Sequence, residues 1–218
     1  MTHRFDLVIF DWDGTLMDSA AAIVRAIQAS CRDLGLPEPT DARARHVIGL
    51  GLQEALSYAV PELDPGAYPA MVERYRHHYL SADHALELFP GSYELVESLA
   101  GSGRLLGVAT GKSRKGLDRA LAASRLEPFF HATRCADECF SKPHPQMLEE
   151  LMDVFGVARE RTLMIGDTTH DLGMARNAGV AAVAVGFGAH PRQVLEQASP
   201  LALVDSTAEL AAWIEKNA

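Results

Sequence analysis

The segment FDLVIFDWDGTLMDS, residues 5–19, is the strongest indication of fold in this 218-residue chain. Its apolar run LVIF offers no solvent-facing position, which predicts a β-strand buried on both faces of a sheet. The run ends at Asp11, and Asp13 and Asp18 follow closely. Crowded carboxylates repel one another unless a cation neutralises them, and magnesium needs only one or two carboxylates beside substrate oxygens and waters. Asp-x-Asp-Gly is also an ordinary turn sequence, so a turn and a metal site are both open interpretations.

The composition is that of an ordinary soluble globular protein, with 48% hydrophobic and 22% charged residues. A formal net charge of −9 argues against binding to nucleic acid or to an anionic membrane, both of which require a basic surface. No targeting leader and no apolar run of membrane-spanning length is visible, so we expect a cytoplasmic protein. An anionic substrate would have to be held by local positive groups or by a metal.

A helical insert follows the first strand. Apolar spacing predicts helices from residue 20 to about 35, over 40–47, over 52–59 and over 68–80, with Ser19 or Asp18 capping the first. No strand is predicted in this region. The predicted organisation is a small helical domain over residues 18–84, inserted into a core formed by residues 1–17 and 85–218.

Strands and helices alternate in the rest of the chain. Helices are predicted over 91–100, 114–123, 146–155, 171–178 and 207–216, and strands over 105–109, 131–135, 162–165, 181–185 and 201–204. This alternation is typical of the α/β class, a doubly wound parallel sheet with helices on both faces.

Polar residues stand where the predicted strands end. Thr110 and Asp167 each follow a strand, as Asp11 does, and Lys142 lies in a loop that opens a helix. Because ligands of open parallel sheets bind beyond the carboxyl ends of the strands, these side chains are expected to converge. Each residue alone also has an ordinary interpretation as a cap, a turn residue or a solvated charge.

Four ordered motifs carry a resemblance to a known family. They are FDWDGTLMDS at 10–19, VATGKS at 108–113, SKPHP at 141–145 and IGDTTHDLGMARNAG at 165–179. With these motifs the chain resembles the haloacid dehalogenase-like hydrolases, and it is most similar to phosphoglycolate phosphatases and their close relatives. The resemblance implies a Rossmann-like core, a mobile helical cap and a magnesium-dependent phosphatase acting on a small phosphorylated metabolite.

The resemblance also implies roles for the acidic residues. Asp11 would be the nucleophile that forms an aspartyl-phosphate, and Asp13 would protonate the leaving alcohol and then activate water. Magnesium would be bound by the side chains of Asp11 and Asp167 and by the backbone carbonyl of Asp13. Asp171, one helical turn beyond Asp167, is better placed on a metal-bound water.

Positive and backbone groups would hold the phosphate. Lys142 would stabilise the transferring oxygens and keep Asp11 ionised, and Thr110 would bind a phosphate oxygen together with the amides of Gly111 and Lys112. The side chain of Lys112 has two interpretations, a phosphate contact or a solvated helix start.

Substrate choice is expected to lie in the insert. The loop around residues 45–53 would face the leaving group, with Gly49 and Gly51 allowing close backbone approach. Arg45 is a candidate partner for the carboxylate of a substrate such as 2-phosphoglycolate, and equally a helix-surface charge.

Asp13 argues against dehalogenation and phosphonate cleavage.

Two alternative functions remain open at the level of sequence. One is a phosphosugar mutase, a class of enzyme whose cap type resembles this insert. The other is a non-enzymatic phosphate-binding protein. The sequence does not distinguish a monomer from a homodimer.

Overall fold

The computed structural model describes residues 4–83 and 86–218, and its centre is one parallel sheet of six strands. The strands are β1 (Leu7–Phe10), β2 (Leu105–Thr110), β3 (Ala132–Cys135), β4 (Thr162–Gly166), β5 (Ala181–Val185) and β6 (Ala202–Val204). Their order across the sheet is β3-β2-β1-β4-β5-β6. The predicted doubly wound α/β architecture is confirmed.

Strand β1 is buried on both faces, as its apolar run predicts. Val8 and Phe10 face the apolar cluster that holds helices α5 (Ser92–Gly101), α6 (Arg114–Ser124) and α10 (Thr207–Asn217). Leu7 and Ile9 face the opposite cluster, which holds α7 (Gln146–Phe155), α8 (Thr169–Ala178) and α9 (Arg192–Gln197). Because successive side chains of a strand point to opposite faces of the sheet, β1 contributes to both halves of the core.

The register of the sheet determines where the polar residues lie. Phe10 is paired with Val108 on β2 and with Ile165 on β4. Because the three strands are parallel and adjacent, Asp11, Thr110 and Asp167 leave the sheet at the same edge.

Four helices after β1 form the cap: α1 (Ala20–Asp33), α2 (Asp41–His46), α3 (Leu52–Ala59) and α4 (Tyr68–Asp83). The buried apolar side chains of these helices form one cluster within residues 20–79. Among the described residues, Ala189 is the buried residue of the core that joins this cluster. This separate cluster supports the predicted division into residues 18–84 and residues 1–17 with 85–218, which stays a prediction. The second boundary falls on residues 84 and 85, outside the described residues. None of the helices in the described parts of the chain is long and apolar enough to cross a membrane.

The structure differs from the sequence prediction in one helix start, one additional helix and one helix cap. Helix α8 begins at Thr169, earlier than predicted, because Thr168 and Asp171 form a capping box that satisfies its first amides. Helix α9 was not predicted, since it has only six residues and buries only Leu195. Ser19 is the N-cap residue of α1, but its hydroxyl makes no capping hydrogen bond and donates to Asp13 Oδ1 at 2.6 Å instead.

Candidate active site

The structure brings together the polar residues predicted to converge at the sheet edge. Asp11, Thr110 and Asp167 are completely buried there, and Lys142 is 2% exposed. Carboxylate oxygens of Asp11, Asp167 and Asp171 all lie within 4.8 Å of one another. Residues distant in sequence therefore form one compact charged site.

Lys142 lies between two of these carboxylates. Its Nζ is 2.8 Å from Asp11 Oδ1 and 2.7 Å from Asp171 Oδ1. Burial by itself lowers the pKa of Lys142, but Asp11 and Asp171 outweigh burial and raise that pKa above its usual value. The ammonium group is therefore charged at neutral pH and compensates part of the buried negative charge.

Asp171 also has a structural role that its spacing from Asp167 does not reveal. Its Oδ2 accepts hydrogen bonds from the amide of Thr168 at 3.0 Å and from the hydroxyl of Thr168 at 2.6 Å. Asp171 thus caps helix α8 with one oxygen and orients Lys142 with the other.

Asp167 is held in place by one hydroxyl and one amide. Thr15 Oγ1 donates to Asp167 Oδ1 at 2.8 Å, and the amide of Ala189 donates to Oδ2 at 2.7 Å. Gly14, with a φ of +83°, lies directly against this carboxylate, where a side chain would clash. Burial raises the pKa of Asp167 well above its usual value, and the charges of Asp11 and Asp171 add to that effect.

The donor set fits a divalent metal. Apart from the ion pair with Lys142 at 2.8 Å, neither oxygen of the buried Asp11 carboxylate has a hydrogen-bond partner among the described residues. Burial raises the pKa of Asp11 to about 7, although Lys142 lowers it. The four carboxylates of Asp11, Asp13, Asp167 and Asp171 face two ammonium groups, those of Lys142 and Lys112, so two formal negative charges remain. Carboxylate oxygens are ligands of the kind that magnesium prefers.

Asp13 is surrounded by hydrogen-bond donors. Lys112 Nζ donates to its two oxygens at 2.9 and 3.0 Å, and Ser19 Oγ donates to Oδ1 at 2.6 Å. Lys112 also donates to the hydroxyl of Tyr79, on cap helix α4, at 2.9 Å. Tyr79 is not predicted as a site residue from the sequence, because its spacing indicates only an apolar helix face.

The loop after β2 lies beneath the cap. Thr110 Oγ1 accepts a hydrogen bond from the amide of Lys112 at 3.2 Å. A Cβ on Gly111 would lie 2.5 Å from the carbonyl oxygen of Leu50. The predicted phosphate-binding roles of Thr110, Gly111 and Lys112 stay predictions, but all three residues lie where the cap covers the sheet edge.

The cap loop predicted to approach the site does lie over it. A Cβ on Gly49 would lie 3.9 Å from Asp11 Oδ2, and the amide of Gly51 donates to Ser141 Oγ at 2.9 Å. The cleft between cap and core has a volume of about 1030 Å³ and includes Asp13 and Lys112 among its lining residues. Arg45 is partly buried and is not among the described residues that line this cleft. Its contact with a substrate carboxylate stays a prediction.

A histidine cluster joins cap and core. The carbonyl oxygen of His46, in α2, accepts hydrogen bonds from Nε2 of His170 at 2.6 Å and Nε2 of His190 at 3.1 Å. The amide of Thr169 donates to His190 Nδ1 at 3.0 Å, which places the proton of a neutral His190 on Nε2. Burial lowers the pKa of His170 and lowers that of His190 to about 4. The sequence does not predict this contact, because the three histidines lie in separate segments.

Comparison with known proteins defines the class. Residues 8–185 match the haloacid dehalogenase-like hydrolase family. The chain belongs to this family, and it is an enzyme, a hydrolase with the family's α/β fold and a helical cap.

Three curated relatives illustrate the range of names in the family. The chain is 38% identical over 210 residues to the probable phosphatase IndB of Dickeya dadantii, covering 94% of this chain and 91% of the relative. It is 34% identical to a 5'-nucleotidase of Pseudomonas aeruginosa, covering 85% and 84% of the two chains. It is 30% identical to the pyrophosphatase PpaX of Halalkalibacterium halodurans, covering 90% and 91%.

Solved structures share the whole fold. A predicted phosphoglycolate phosphatase from Haemophilus somnus matches with a TM-score of 0.86 and 25% identity over 97% of this chain and 99% of its own. A hydrolase from Pseudomonas syringae matches with a TM-score of 0.87 and 24% identity over 96% and 97%.

Proposed function

We propose that this protein is a magnesium-dependent phosphomonoester hydrolase that acts on a small phosphorylated metabolite through an aspartyl-phosphate intermediate. The observation that carries the proposal is the buried Asp11 carboxylate, which is paired with Lys142 and has no other hydrogen-bond partner among the described residues. Such a carboxylate is costly in a structural role and suited to a nucleophile.

In the first step, an oxygen of Asp11 attacks the phosphorus atom and the bond to the leaving oxygen breaks. Lys142, 2.8 Å from Asp11, offsets the negative charge that nucleophile and phosphoryl group bring together. Thr110, buried at the end of β2, would bind a phosphoryl oxygen.

Asp13 serves both steps. In its acid form it donates a proton to the leaving oxygen, and as a carboxylate it takes a proton from the water that hydrolyses the aspartyl-phosphate. The Gly49 loop over Asp11 excludes bulk water from the intermediate.

Asp11 and Asp167 would hold the magnesium ion with their side chains, and Asp13 with its backbone carbonyl. When bound, the ion neutralises charge on the phosphoryl oxygens and the nucleophile. Asp171 orients Lys142.

2-Phosphoglycolate is the first substrate to assay. Support comes from the sequence resemblance and from the structural relative that is described as a predicted phosphoglycolate phosphatase. The names of the curated relatives add nucleoside monophosphates and pyrophosphate to the panel.

The decisive experiment measures release of inorganic phosphate from this panel with magnesium, with a chelator and in Asp11→Asn. We expect turnover that the chelator and the substitution each abolish. Absence of turnover of every phosphoester with metal present would contradict the proposal. Isomerised sugar phosphate that depends on a bisphosphate activator, with little phosphate release, would identify a mutase instead.

A further inference from the structure

The ammonium group of Lys112 has three partners in the structure. It donates to Asp13 Oδ1 at 2.9 Å, to Asp13 Oδ2 at 3.0 Å and to the hydroxyl of Tyr79 at 2.9 Å. A lysine ammonium has three N–H donors, so all of them are used. Both side chains of the ion pair are about nine-tenths buried, which leaves little room for other positions.

The three partners lie on different parts of the molecule. Asp13 follows β1, Lys112 lies in the loop after β2, and Tyr79 lies on helix α4 of the cap. Tyr79 is 7% exposed and Asp13 is also 7% exposed. The Tyr79 hydroxyl of the cap is thus connected through the Lys112 ammonium group to Asp13, the proposed acid and base.

We propose that Tyr79 is a positioning residue for Asp13 and that it acts through Lys112. The inference rests on the proposed phosphatase function. The Tyr79 hydroxyl accepts the third hydrogen bond of the Lys112 ammonium group. It thereby fixes the direction of the two N–H groups that donate to Asp13. Because Tyr79 belongs to the cap, the third contact of the ammonium group, and with it this constraint on Asp13, is made only when the cap covers the site.

The consequence depends on the leaving group. An alkoxide is a poor leaving group and needs a proton from Asp13 as the bond to phosphorus breaks, whereas p-nitrophenolate leaves without one. Misplacing a catalytic group by about 1 Å can cost on the order of 100-fold in rate. Loss of the Tyr79 hydroxyl therefore slows phosphoryl transfer from an alkyl phosphate and not from p-nitrophenyl phosphate.

The test compares kcat/KM for p-nitrophenyl phosphate with kcat/KM for the best alkyl phosphate of the panel. This parameter covers only steps up to formation of the aspartyl-phosphate, so hydrolysis of the intermediate does not enter it. In Tyr79→Phe we expect a fall of roughly ten-fold for the alkyl phosphate and less than about two-fold for the aryl phosphate.

The matched control is Tyr58→Phe. Tyr58 lies on cap helix α3, is 50% exposed and is not among the described residues that line the cleft. Removing its hydroxyl makes the same change in the cap without removing the contact to Lys112. We expect the ratio of the two kcat/KM values to stay at its wild-type level.

Lys112→Met tests whether Tyr79 acts through the ammonium group. This variant should show the same selective loss with the alkyl phosphate, and adding Tyr79→Phe to it should change the ratio no further. Equal losses with both substrates, an unchanged ratio in Tyr79→Phe, or independent effects in the double variant would each overturn the inference.

Failure of the inference is distinguishable from failure of the proposed function. If the wild type hydrolyses both phosphoesters and Asp11→Asn hydrolyses neither, an unchanged ratio in Tyr79→Phe overturns the role of Tyr79 alone. If the wild type hydrolyses no phosphoester with magnesium, the proposed function fails and the inference fails with it.

Discussion

Gly111 in the core lies so close to Leu50 in the cap that a Cβ would come within 2.5 Å of the Leu50 carbonyl oxygen. The carbonyl oxygen of Gly49 would lie 2.6 Å from the same Cβ. Backbone atoms cannot move aside as the end of a side chain can, so the cap covers the site only because residue 111 has no side chain.

Gly111→Ala should therefore prevent full closure of the cap. We expect kcat/KM to fall by roughly ten-fold or more, because an incompletely covered site misplaces the cap residues and admits water. The unfolding midpoint in urea should change little, since the contact lies between cap and core. Gly101→Ala is the matched control, because a Cβ there meets nothing within 4 Å. Equal activity in the two variants would contradict the explanation.

Lys142→Met should destabilise the protein strongly. The substitution leaves Asp11 and Asp171 buried without their shared cation, and breaking a buried ion pair on one side costs about 3–5 kcal/mol. The free energy of unfolding can be measured by urea titration at neutral pH. Lys216→Met removes an exposed ammonium group from α10 and should change it by less than about 0.5 kcal/mol. A similar change in the free energy of unfolding in both variants would show that Lys142 is not the compensating charge.

Magnesium should stabilise the folded protein through Asp167. At a magnesium concentration about 100 times the dissociation constant, one site adds about 2.7 kcal/mol to the free energy of unfolding. Asp167→Asn should abolish the magnesium-dependent rise in melting temperature, whereas Asp153→Asn, an exposed residue of α7, should retain it. A rise of equal size in Asp167→Asn would place the metal elsewhere.

The metal-free protein should lose stability as the pH is raised from about 4 to about 7. Burial raises the pKa of Asp11 from 3.8 to about 7, so over this range the folded state holds a proton that the unfolded state has released. The unfolded state binds fewer protons, and the free energy of unfolding therefore falls with increasing pH. In Asp11→Asn this contribution is absent.

Urea midpoints with chelator at the two ends of that pH range check this expectation. The decrease should be smaller in Asp11→Asn than in the wild type, because the other titrating groups are common to both proteins. An identical decrease would mean that the Asp11 carboxyl does not titrate in this range.

The fold class and the polar residues at the centre of the candidate site are predictable from the sequence alone. Buried runs such as LVIF, each followed by a polar residue, predict parallel strands, and parallel strands bring their carboxyl ends to one edge. That reasoning placed Asp11, Thr110 and Asp167 at the same edge, and the structure shows them there. The fold, the family and the enzyme class were confirmed. The magnesium ion, the substrate and the roles of individual residues stay predictions.

The partner of each polar side chain follows from the packing of the folded chain and not from the sequence pattern. The hydrogen bond of Ser19 to Asp13, the contact of Tyr79 with Lys112 and the histidine contact to the His46 carbonyl all join segments whose relative positions depend on how the cap packs. Apolar periodicity predicts which face of a helix is buried, but it carries no information on what lies opposite a polar atom at that face. The sequence thus specified the elements and their order, while packing of the cap on the core set the hydrogen-bond partners that the proposed chemistry requires.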